Sequence, residues 1–297
     1  GGNNMDYMRK DLEDKYKIKD FQNKLLNIMM DIDNFCNEHN IDYCLMAGSA
    51  LGAERHHGFI PWDDDMDIYM TENDYNEFRT EFLNSNLKNK YYLQEWGKNN
   101  YKGRNHITMA KIRLNGSMIY EETYENWNIH KGICIDIFIL HKASNNTLKQ
   151  KMQYLWAECV VLKGLQVRKY KCESLKKKIM LAICKIIPKA WILKHGLKNI
   201  YKYESEDTDF YHGFIDTRNF SRAIFKKDIF FPTRYVDFEN VKLKVPAKND
   251  EYLRIQFGQD YMVLPPENKR PINKHTDGCK IDSKIIYDDL SDEKNLI

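Results

Sequence analysis

The chain has 297 residues, of which 42% are hydrophobic and 13% aromatic, and it contains only 14 Gly and 7 Pro. This composition excludes a disordered or low-complexity protein and predicts one large folded domain or a domain with a subdomain. Seven cysteines without a Cys-x-x-Cys pair or zinc-type spacing predict free thiols and a cytoplasmic location. No apolar run is long enough to predict a transmembrane helix.

The net charge of +3 conceals a strongly basic segment. Residues 149–202 contain fourteen Lys and Arg residues, opposed only by Glu158 and Glu173, so this segment carries +12. The remainder of the chain therefore carries −9. This concentration of positive charge predicts either contact with an anionic partner or a solvated face.

The N-terminal half is predicted to alternate helices and short strands. Residues 6–40 have apolar side chains at helical spacings, which predicts a helix. The stretch IDYCLMAG predicts a strand that ends at Gly48, and a second helix is expected to open on Ser49 as its N-cap. A strand at MDIYM (66–70) and an amphipathic helix with Thr71 as N-cap follow.

The middle of the chain predicts a hairpin and a buried strand. HITMAKIRL and SMIYEE resemble two strands, and the pair Asn115-Gly116 between them is a strong hairpin signal. GICIDIFIL (132–140) is a nearly continuous apolar strand that carries one acidic residue, Asp136. The basic segment is predicted to be helical with a break near Pro188, and shorter elements are expected after Asp207.

Four carboxylates lie within five positions of FIPWDDDMDIYM, at Asp63, Asp64, Asp65 and Asp67. Residues two apart in a strand point to the same side, so Asp65 and Asp67 share a face if the strand begins by Asp65. Two neighbouring carboxylates with apolar backing form an oxygen site suited to Mg²⁺ or Mn²⁺. A cation shared with Asp136 would also stabilise that isolated carboxylate, which is costly to bury alone.

Other interpretations of these acidic residues stay open. Asp63 and Asp64 are also typical of a solvated turn, and Asp136 could pair with an arginine in the core. An EF-hand loop is not supported, because the sixth position from Asp63 is not a glycine and Asp74 stands at the twelfth in place of glutamate.

Upstream, LMAGSALGAERHHG joins a strand to a helix at Gly48-Ser49. Backbone N–H groups and the positive end of a helix meet at such a turn and can bind phosphate. Gly48 would permit close backbone approach and Ser49 would add a hydroxyl, although a lone Gly-Ser pair is most often an ordinary helix start. The ordered set of GS turn, acidic pair and distant acidic strand makes the phosphate interpretation stronger.

This ordered set resembles the nucleotidyltransferase superfamily, and GSALGAERHHGFIPWDDDMDIYM is similar to the signature of the LicD family, which includes fukutin-type proteins. GICIDIFIL is similar to the family's third-carboxylate strand. DEYLRIQFGQDYMVLPP (250–266) is similar to its C-terminal motif, which is usually written with YGD where this chain has FGQD.

The resemblance implies an α+β fold, with a nucleotidyltransferase-like mixed sheet core, flanking helices and a basic helical insertion. Its parts would be a catalytic core at 5–145, the basic helical segment at 146–205, and a C-terminal part at 206–297 that completes the catalytic domain.

The resemblance also implies a metal-dependent phosphotransferase. Phosphocholine or another phospho-alcohol would pass from CDP-choline, or another CDP-alcohol, to a lipid-linked glycan precursor of the teichoic acid or lipopolysaccharide type. By position, Gly48 and Ser49 would hold donor phosphate. Asp65, Asp67 and Asp136 would be catalytic and would bind Mg²⁺ or Mn²⁺, and Asp136 could also act as base toward the acceptor hydroxyl.

Three basic residues, Arg55, Lys111 and Arg113, are further candidates for phosphate binding, although a solvated surface position explains each of them equally well. The adjacent His56 and His57 are expected to be structural or loop residues.

Two features bear on the substrates. Trp62, Trp96 and Trp127 could form an aromatic cage for a quaternary ammonium group, though such residues more often belong to a core. The basic segment mixes Lys with apolar residues, which is typical of peripheral binding at the inner face of an anionic membrane, but also of core helices with a solvated lysine face. No nucleic-acid motif accompanies the charge, so nucleic acid is not an expected partner.

Two other functions are compatible with the sequence. A nucleotidyltransferase would move NMP from an NTP and release pyrophosphate, whereas a CDP-alcohol phosphotransferase would release CMP. A catalytically inactive binding protein is the second alternative, and the intact set of Asp65, Asp67 and Asp136 argues against it.

Overall fold

A computed structural model describes residues 5–101, 104–170, 174–216, 219–270, 276 and 279–297. The helices are α1 (Lys19–Glu38), α2 (Ala47–His56), α3 (Glu72–Asn84), α4 (Leu87–Lys90), α5 (Thr147–Val167), α6 (Leu175–Ile186), α7 (Lys189–Ile200) and α8 (Asn249–Phe257). The strands are β1 (Cys44–Leu45), β2 (Asp67–Thr71), β3 (Tyr91–Trp96), β4 (Asn99–Tyr101), β5 (Arg104–His106), β6 (Met109–Leu114), β7 (Ser117–Met118), β8 (Cys134–Ala143), β9 (Phe210–His212), β10 (Ile224–Lys226), β11 (Arg234–Phe238), β12 (Val241–Val245) and β13 (Lys280–Ile281).

The main sheet has the order β1-β2-β8-β6-β3, and β9 and β10 extend it beside the C-terminal end of β8. Strands β2 and β8 are parallel, whereas the pairs β1–β2, β8–β6 and β6–β3 are antiparallel. With the helices that surround it, this mixed sheet confirms the predicted α+β fold.

Strand β8 is central, and its residues alternate between two environments. Ile135, Ile137 and Ile139 are buried in the main core together with apolar side chains of α1 and α3. Asp136 and Phe138 point to the opposite face and are only partly buried. The strand therefore separates a hydrophobic core from a face that can carry polar chemistry.

The first helix begins later than predicted, at Lys19 instead of residue 6. The residues before it bond to distant parts of the chain: Tyr7 O accepts from Asn240 N, and Arg9 N donates to the Glu239 carboxylate. Tertiary partners thus satisfy backbone groups that a helix would otherwise satisfy internally, and the helical pattern of the sequence is overridden there.

The hairpin predicted at Asn115-Gly116 is wrong. A turn is present, and Gly116 has the positive φ of 68° that such a turn needs. However, β6 pairs with β3 on one side and β8 on the other, and β7 pairs with β13. Because both edges of β6 are already occupied, the following strand cannot fold back onto it.

The basic segment is helical and broken at Pro188, as predicted: α5 packs against α6 and α7, and α7 begins directly after the proline. No helix in the described ranges is both long and apolar enough to cross a membrane. The predicted free thiols are confirmed for the six cysteines that the structure describes, while Cys172 lies outside them. The division into 5–145, 146–205 and 206–297 stays a prediction.

Candidate active site

Three predicted site residues form one row across the main sheet. Asp67 on β2 is paired with Asp136 on the parallel strand β8, and Asp136 is paired with Lys111 on the antiparallel strand β6. Directly paired residues present their side chains on the same face of a sheet. Strand pairing therefore brings together residues that are 69 positions apart in the chain.

Lys111 and Asp136 are an ion pair at the centre of this row. The Lys111 ammonium Nζ lies 2.7 and 2.5 Å from the two Asp136 carboxylate oxygens. Burial by itself lowers the pKa of Lys111, but the charges of Asp136, Cys134 and Glu121 together outweigh burial, and the net pKa is raised above its ordinary value. Lys111 is therefore a fixed positive charge beside the acidic cluster.

Asp65 and Asp67 are neighbours for a different reason than predicted. Strand β2 begins only at Asp67, so strand alternation does not place Asp65 on its face. Between Asp65 and Asp67, Met66 bonds to β8, because its carbonyl accepts a hydrogen bond of 3.1 Å from Asp136 N. The loop instead brings Asp65 close enough for its charge to raise the pKa of Asp67.

Asp63 belongs to the same cluster, although in the sequence it is also typical of a solvated turn. Burial, together with the charges of Asp65 and Asp64, raises the pKa of Asp63 to about 8. Burial, followed by the charges of Asp65 and Asp136, raises the pKa of Asp67 well above its ordinary range. The signal that could have identified Asp63 is its place between apolar residues, Phe59 to Trp62 on one side and Met66 on the other, which favours burial of the acidic loop.

The raised pKa values test whether this cluster fits a divalent cation. Several carboxylates are held together with more negative charge than their surroundings stabilise, and only oxygen ligands are offered. Such a donor set suits Mg²⁺ or Mn²⁺, whose charge would remove the repulsion. The donor type of Asp63, Asp65 and Asp67 fits this class of cation, whereas both oxygens of Asp136 are held by Lys111. The metal set of Asp65, Asp67 and Asp136 stays a prediction.

Gly48 and Ser49 lie next to this cluster, in the first turn of α2. The helix begins at Ala47, not on Ser49, because the Tyr252 hydroxyl accepts a hydrogen bond of 2.9 Å from Ala47 N. The predicted N-cap role of Ser49 is therefore wrong. Its buried hydroxyl accepts instead from Asp67 N, at 2.9 Å, and so braces the start of β2.

A side chain at position 48 would collide with the acidic cluster. A Cβ there would lie 2.7 Å from the Asp63 carboxylate oxygen Oδ2. Glycine thus allows the helix start and the acidic loop to approach closely, and first-turn N–H groups, which lack intrahelical partners, lie beside the carboxylates.

The remaining basic candidates have different positions. The Arg55 guanidinium donates to the Tyr261 carbonyl, at 2.8 Å. Its charge offsets a small part of the rise in the pKa of Asp63, so it lies near the acidic cluster. Arg113 is fully buried and bonds to Gln94, Gly132 and Glu121. The structure therefore does not place Arg113 where a phosphate could reach it.

His56 is structural, as predicted. Burial, with the charge of Arg55 beside it, lowers its pKa to about 4, so the imidazole is neutral near pH 7.

The three tryptophans that were candidates for a cage, together with tyrosines, do not lie in one place. Trp62 lies in the main core with the Arg270 guanidinium 4.4 Å from its ring centroid. Trp96 and Trp127 belong to a separate cluster around Tyr124. Trp62 is thus in a different hydrophobic cluster from the other two rings.

A cavity of about 300 Å³ lies beside the ion pair. Lys111, Trp96, Tyr124 and Asp216 line it, and α5 contributes Val160 among other side chains. The Lys111 ammonium lies 5.1 Å from the centroid of the Trp96 ring, a cation–π distance. A cavity with aromatic walls and charged groups therefore adjoins the row of Asp67, Asp136 and Lys111.

The residues that carry the acidic row are similar to known proteins. Residues 40–160 match the nucleotidyltransferase domain of the family described as LicD/FKTN/FKRP. The chain is similar to the lipopolysaccharide cholinephosphotransferase LicD of Haemophilus influenzae, with 29% identity over 269 residues that cover 85% of this chain and 94% of that protein. It is also 32% identical to an uncharacterised protein of Rickettsia prowazekii over 121 residues, which cover 41% of this chain and 35% of the other.

Proposed function

Because residues 40–160 match the LicD/FKTN/FKRP nucleotidyltransferase domain and the chain is similar to a LicD cholinephosphotransferase over 85% of its length, we propose that it transfers phosphocholine, or a similar phospho-alcohol, from a CDP-linked donor to a sugar hydroxyl. The acceptor would be a precursor of a cell-surface glycan, of the lipopolysaccharide or teichoic acid type. The observation that carries the proposal is the row of Asp67, Asp136 and Lys111 beside the first turn of α2, within the matched domain.

The chain's own groups have complementary roles in this reaction. The first turn of α2, at Gly48 and Ser49, would bind donor phosphate through backbone N–H groups. Asp65, Asp67 and Asp136 would hold Mg²⁺ or Mn²⁺, which supplies neutralisation of charge on the phosphoryl oxygens. Arg55 would add positive charge on the α2 side.

Lys111 would orient Asp136 and then exchange partners. Both Asp136 oxygens accept hydrogen bonds from Lys111. For Asp136 to take the proton of the sugar hydroxyl, Lys111 must release one oxygen, and a bound phosphate would offer its ammonium another acceptor. Substrate binding would thereby free the proposed base.

The cavity beside Lys111 would receive the alcohol part of the donor. Trp96 and Tyr124 present aromatic surface there, and Asp216 adds an acidic residue to the lining. Glu121 is a second acidic residue of the lining, and Lys111 and Arg168 are basic ones. The two aromatic rings are the part of the lining that would favour a quaternary ammonium over a neutral polyol. Trp96→Leu should therefore reduce the preference for CDP-choline over CDP-glycerol, and an unchanged preference would remove Trp96 from this role.

The experiment that tests the reaction is incubation of the full chain with a glycan acceptor of the lipopolysaccharide or teichoic acid type, in Mg²⁺, and with CDP-choline, CDP-ethanolamine, CDP-glycerol, CDP-ribitol or CTP in turn. CMP and pyrophosphate are the readouts. Release of CMP from one donor, and its loss in EDTA, is the expected result. Release of pyrophosphate from CTP with no CMP from any donor would favour nucleotidyl transfer, and no turnover with either substrate class would favour a binding protein.

We also propose that α6 binds the anionic inner face of a membrane, where a lipid-linked acceptor is found. Leu175, Ile179, Ile183 and Ile186 are exposed by 73%, 53%, 56% and 84%, and their spacing places them along one side of the helix. Exposed lysines, Lys178 and Lys185, accompany them. The side chains of Lys176 and Lys177 lie outside the described residues.

Flotation with vesicles tests this membrane contact. The chain should float with vesicles that contain anionic lipid, much less with neutral ones, and raised salt should release it, because each lysine contributes about 1 kcal/mol through a screened interaction. Ile179→Ser with Ile183→Ser should weaken flotation, whereas Ile286→Ser, at a distant position that is 72% exposed, should not. Equal recovery from both vesicle types would contradict the proposal.

A further inference from the structure

A second cluster of ligand-type side chains lies at the other end of the two strands that carry the acidic row. Glu72 follows β2 and His141 lies near the end of β8, each five positions beyond Asp67 or Asp136. At about 3.3 Å per residue, the two clusters are about 16 Å apart along the strands. The second cluster is therefore separate from the proposed phosphate site.

Four parts of the chain contribute to this second cluster. Ligand atoms of Glu72, His141 and Glu204 all lie within 4.8 Å of one another. His106 joins them, because its Nδ1 lies 2.5 Å from Glu72 Oε1, and His141 Nδ1 lies 2.9 Å from Glu204 Oε1. Glu72, His141 and Glu204 thus converge on one point, and His106 adjoins them through Glu72.

The cluster is closed to water. Glu72, His106 and His141 are 5%, 2% and 2% exposed, and the Glu204 side chain is 7% exposed. The Tyr201 ring covers both imidazoles, with centroid distances of 4.6 Å to His106 and 4.1 Å to His141. Buried charges of this kind are paired or coordinate a metal.

The contact between His141 and Glu204 shows which ring atom faces the carboxylates. His141 Nδ1 lies 2.9 Å from Glu204 Oε1, so a metal held by both residues would take the place of this hydrogen bond, with Nδ1 as the ligand atom. His141 Nε2, on the other side of the ring, is buried and has no hydrogen-bond partner within the part of the chain that the structure describes.

We propose that Glu72, His141 and Glu204 bind a divalent transition metal of the zinc class, with His106 beside Glu72 as the fourth ligand. Imidazole nitrogen and carboxylate oxygen are zinc ligands, at about 2.0–2.2 Å, and four protein ligands complete a structural site. Two carboxylates and two neutral imidazoles also balance a charge of +2. Mg²⁺ prefers oxygen ligands alone, so the two clusters should select different metals.

The position of the site indicates what it does. Glu72 and His141 belong to the main sheet and its first following helix, whereas Glu204 comes directly after the basic helices. A metal bound by Glu72, His141 and Glu204 would fix the position of α5–α7 relative to the sheet. Since α5 also lines the cavity beside Lys111, this site would fix a wall of the proposed substrate pocket without taking part in the reaction.

Metal analysis of the full chain, purified without chelators, tests the inference. We expect about one zinc-class ion per chain by mass spectrometry, and after its removal a cobalt titration should give the visible absorption of a four-coordinate site with nitrogen ligands. His141→Gln and Glu204→Gln should each lower the cobalt affinity by about tenfold or more. His130→Gln, which alters a buried histidine outside the cluster, is the matched control and should bind normally.

Folding provides the second readout. Zn²⁺ should raise the melting temperature of the metal-free chain, and Mg²⁺ at the same concentration should not reproduce this effect in the Asp67→Asn variant, where the oxygen site is damaged. A protein that is purified without metal, gives no cobalt absorption and is not stabilised by Zn²⁺ would overturn the inference. The cluster would then be two histidine–glutamate ion pairs, and the proposed transferase reaction would be unaffected.

Discussion

Replacing Lys111 with Met tests whether the acidic row depends on its ammonium group. The Lys111 and Asp136 side chains are only 12% and 19% exposed, so Asp136 would lose its partner in a largely buried setting. Removing one member of a buried ion pair costs about 3–5 kcal/mol, and the remaining water access of Asp136 places the expected loss at the low end, about 3 kcal/mol.

A double-mutant cycle measures the interaction itself. Urea unfolding without divalent cations would be compared for Lys111→Met, Asp136→Asn and the double variant. We expect the double variant to be more stable than the sum of the single losses by about 1–3 kcal/mol, because it leaves no unpaired charge. Mg²⁺ should restore more stability to Lys111→Met than to the double variant, since only the former keeps the Asp136 charge.

The result that would refute this reasoning is additivity. Single losses that sum to the double loss within about 0.5 kcal/mol would show that Lys111 and Asp136 act independently. A Lys111→Met loss below about 0.5 kcal/mol would show that water stabilises Asp136 without the ammonium group.

Asp67→Asn should reduce CMP release roughly 10³-fold or more while the fold persists, because several kcal/mol of transition-state stabilisation would be lost. Near-normal turnover would contradict this prediction. The control is Asp237→Asn, which changes an exposed carboxylate. Gly48→Val should raise the donor KM, through its clash with Asp63, and calorimetry that shows unchanged donor binding would remove Gly48 from the site. In EDTA, the free energy of unfolding should fall as the pH rises from about 4 to 8. The reason is that the raised pKa values of Asp63 and Asp67 make the folded chain hold protons that the unfolded chain has released. Each group contributes at most about 1.4 kcal/mol per pH unit. Mg²⁺ should flatten this slope, and a stability that rises with pH would contradict the assignment.

Much of the acidic site was predictable, because its residues lie in short motifs with a clear chemical meaning. The carboxylates of the acidic loop and the lone Asp136 in an apolar strand are recognisable from residue type and spacing. The partner of Asp136 was not, since it depends on which strand pairs with β8 and in what register. Register is a tertiary property that local periodicity does not contain.

The wrong predictions share this cause. Asn115-Gly116 correctly indicates a turn, but the strands on its two sides pair with other strands and not with each other. Ser49 has the right chemistry for an N-cap, but a tyrosine from the far end of the chain moves the helix start to Ala47. No short sequence motif indicates the histidine–glutamate cluster, because its four members come from four separate parts of the chain.

The Ala47–Tyr252 hydrogen bond has a consequence for how the protein is made. Its two residues are 205 positions apart, and a second long-range contact, from Phe59 N to the Glu239 carboxylate, spans 180 positions. A ribosome that adds about 5–20 residues per second delivers the acidic loop about nine seconds or more before these partners are made. During that interval the nascent chain carries several neighbouring carboxylates beside a helix start that still lacks its partner, so the proposed phosphate site is completed only after residue 252 has been made.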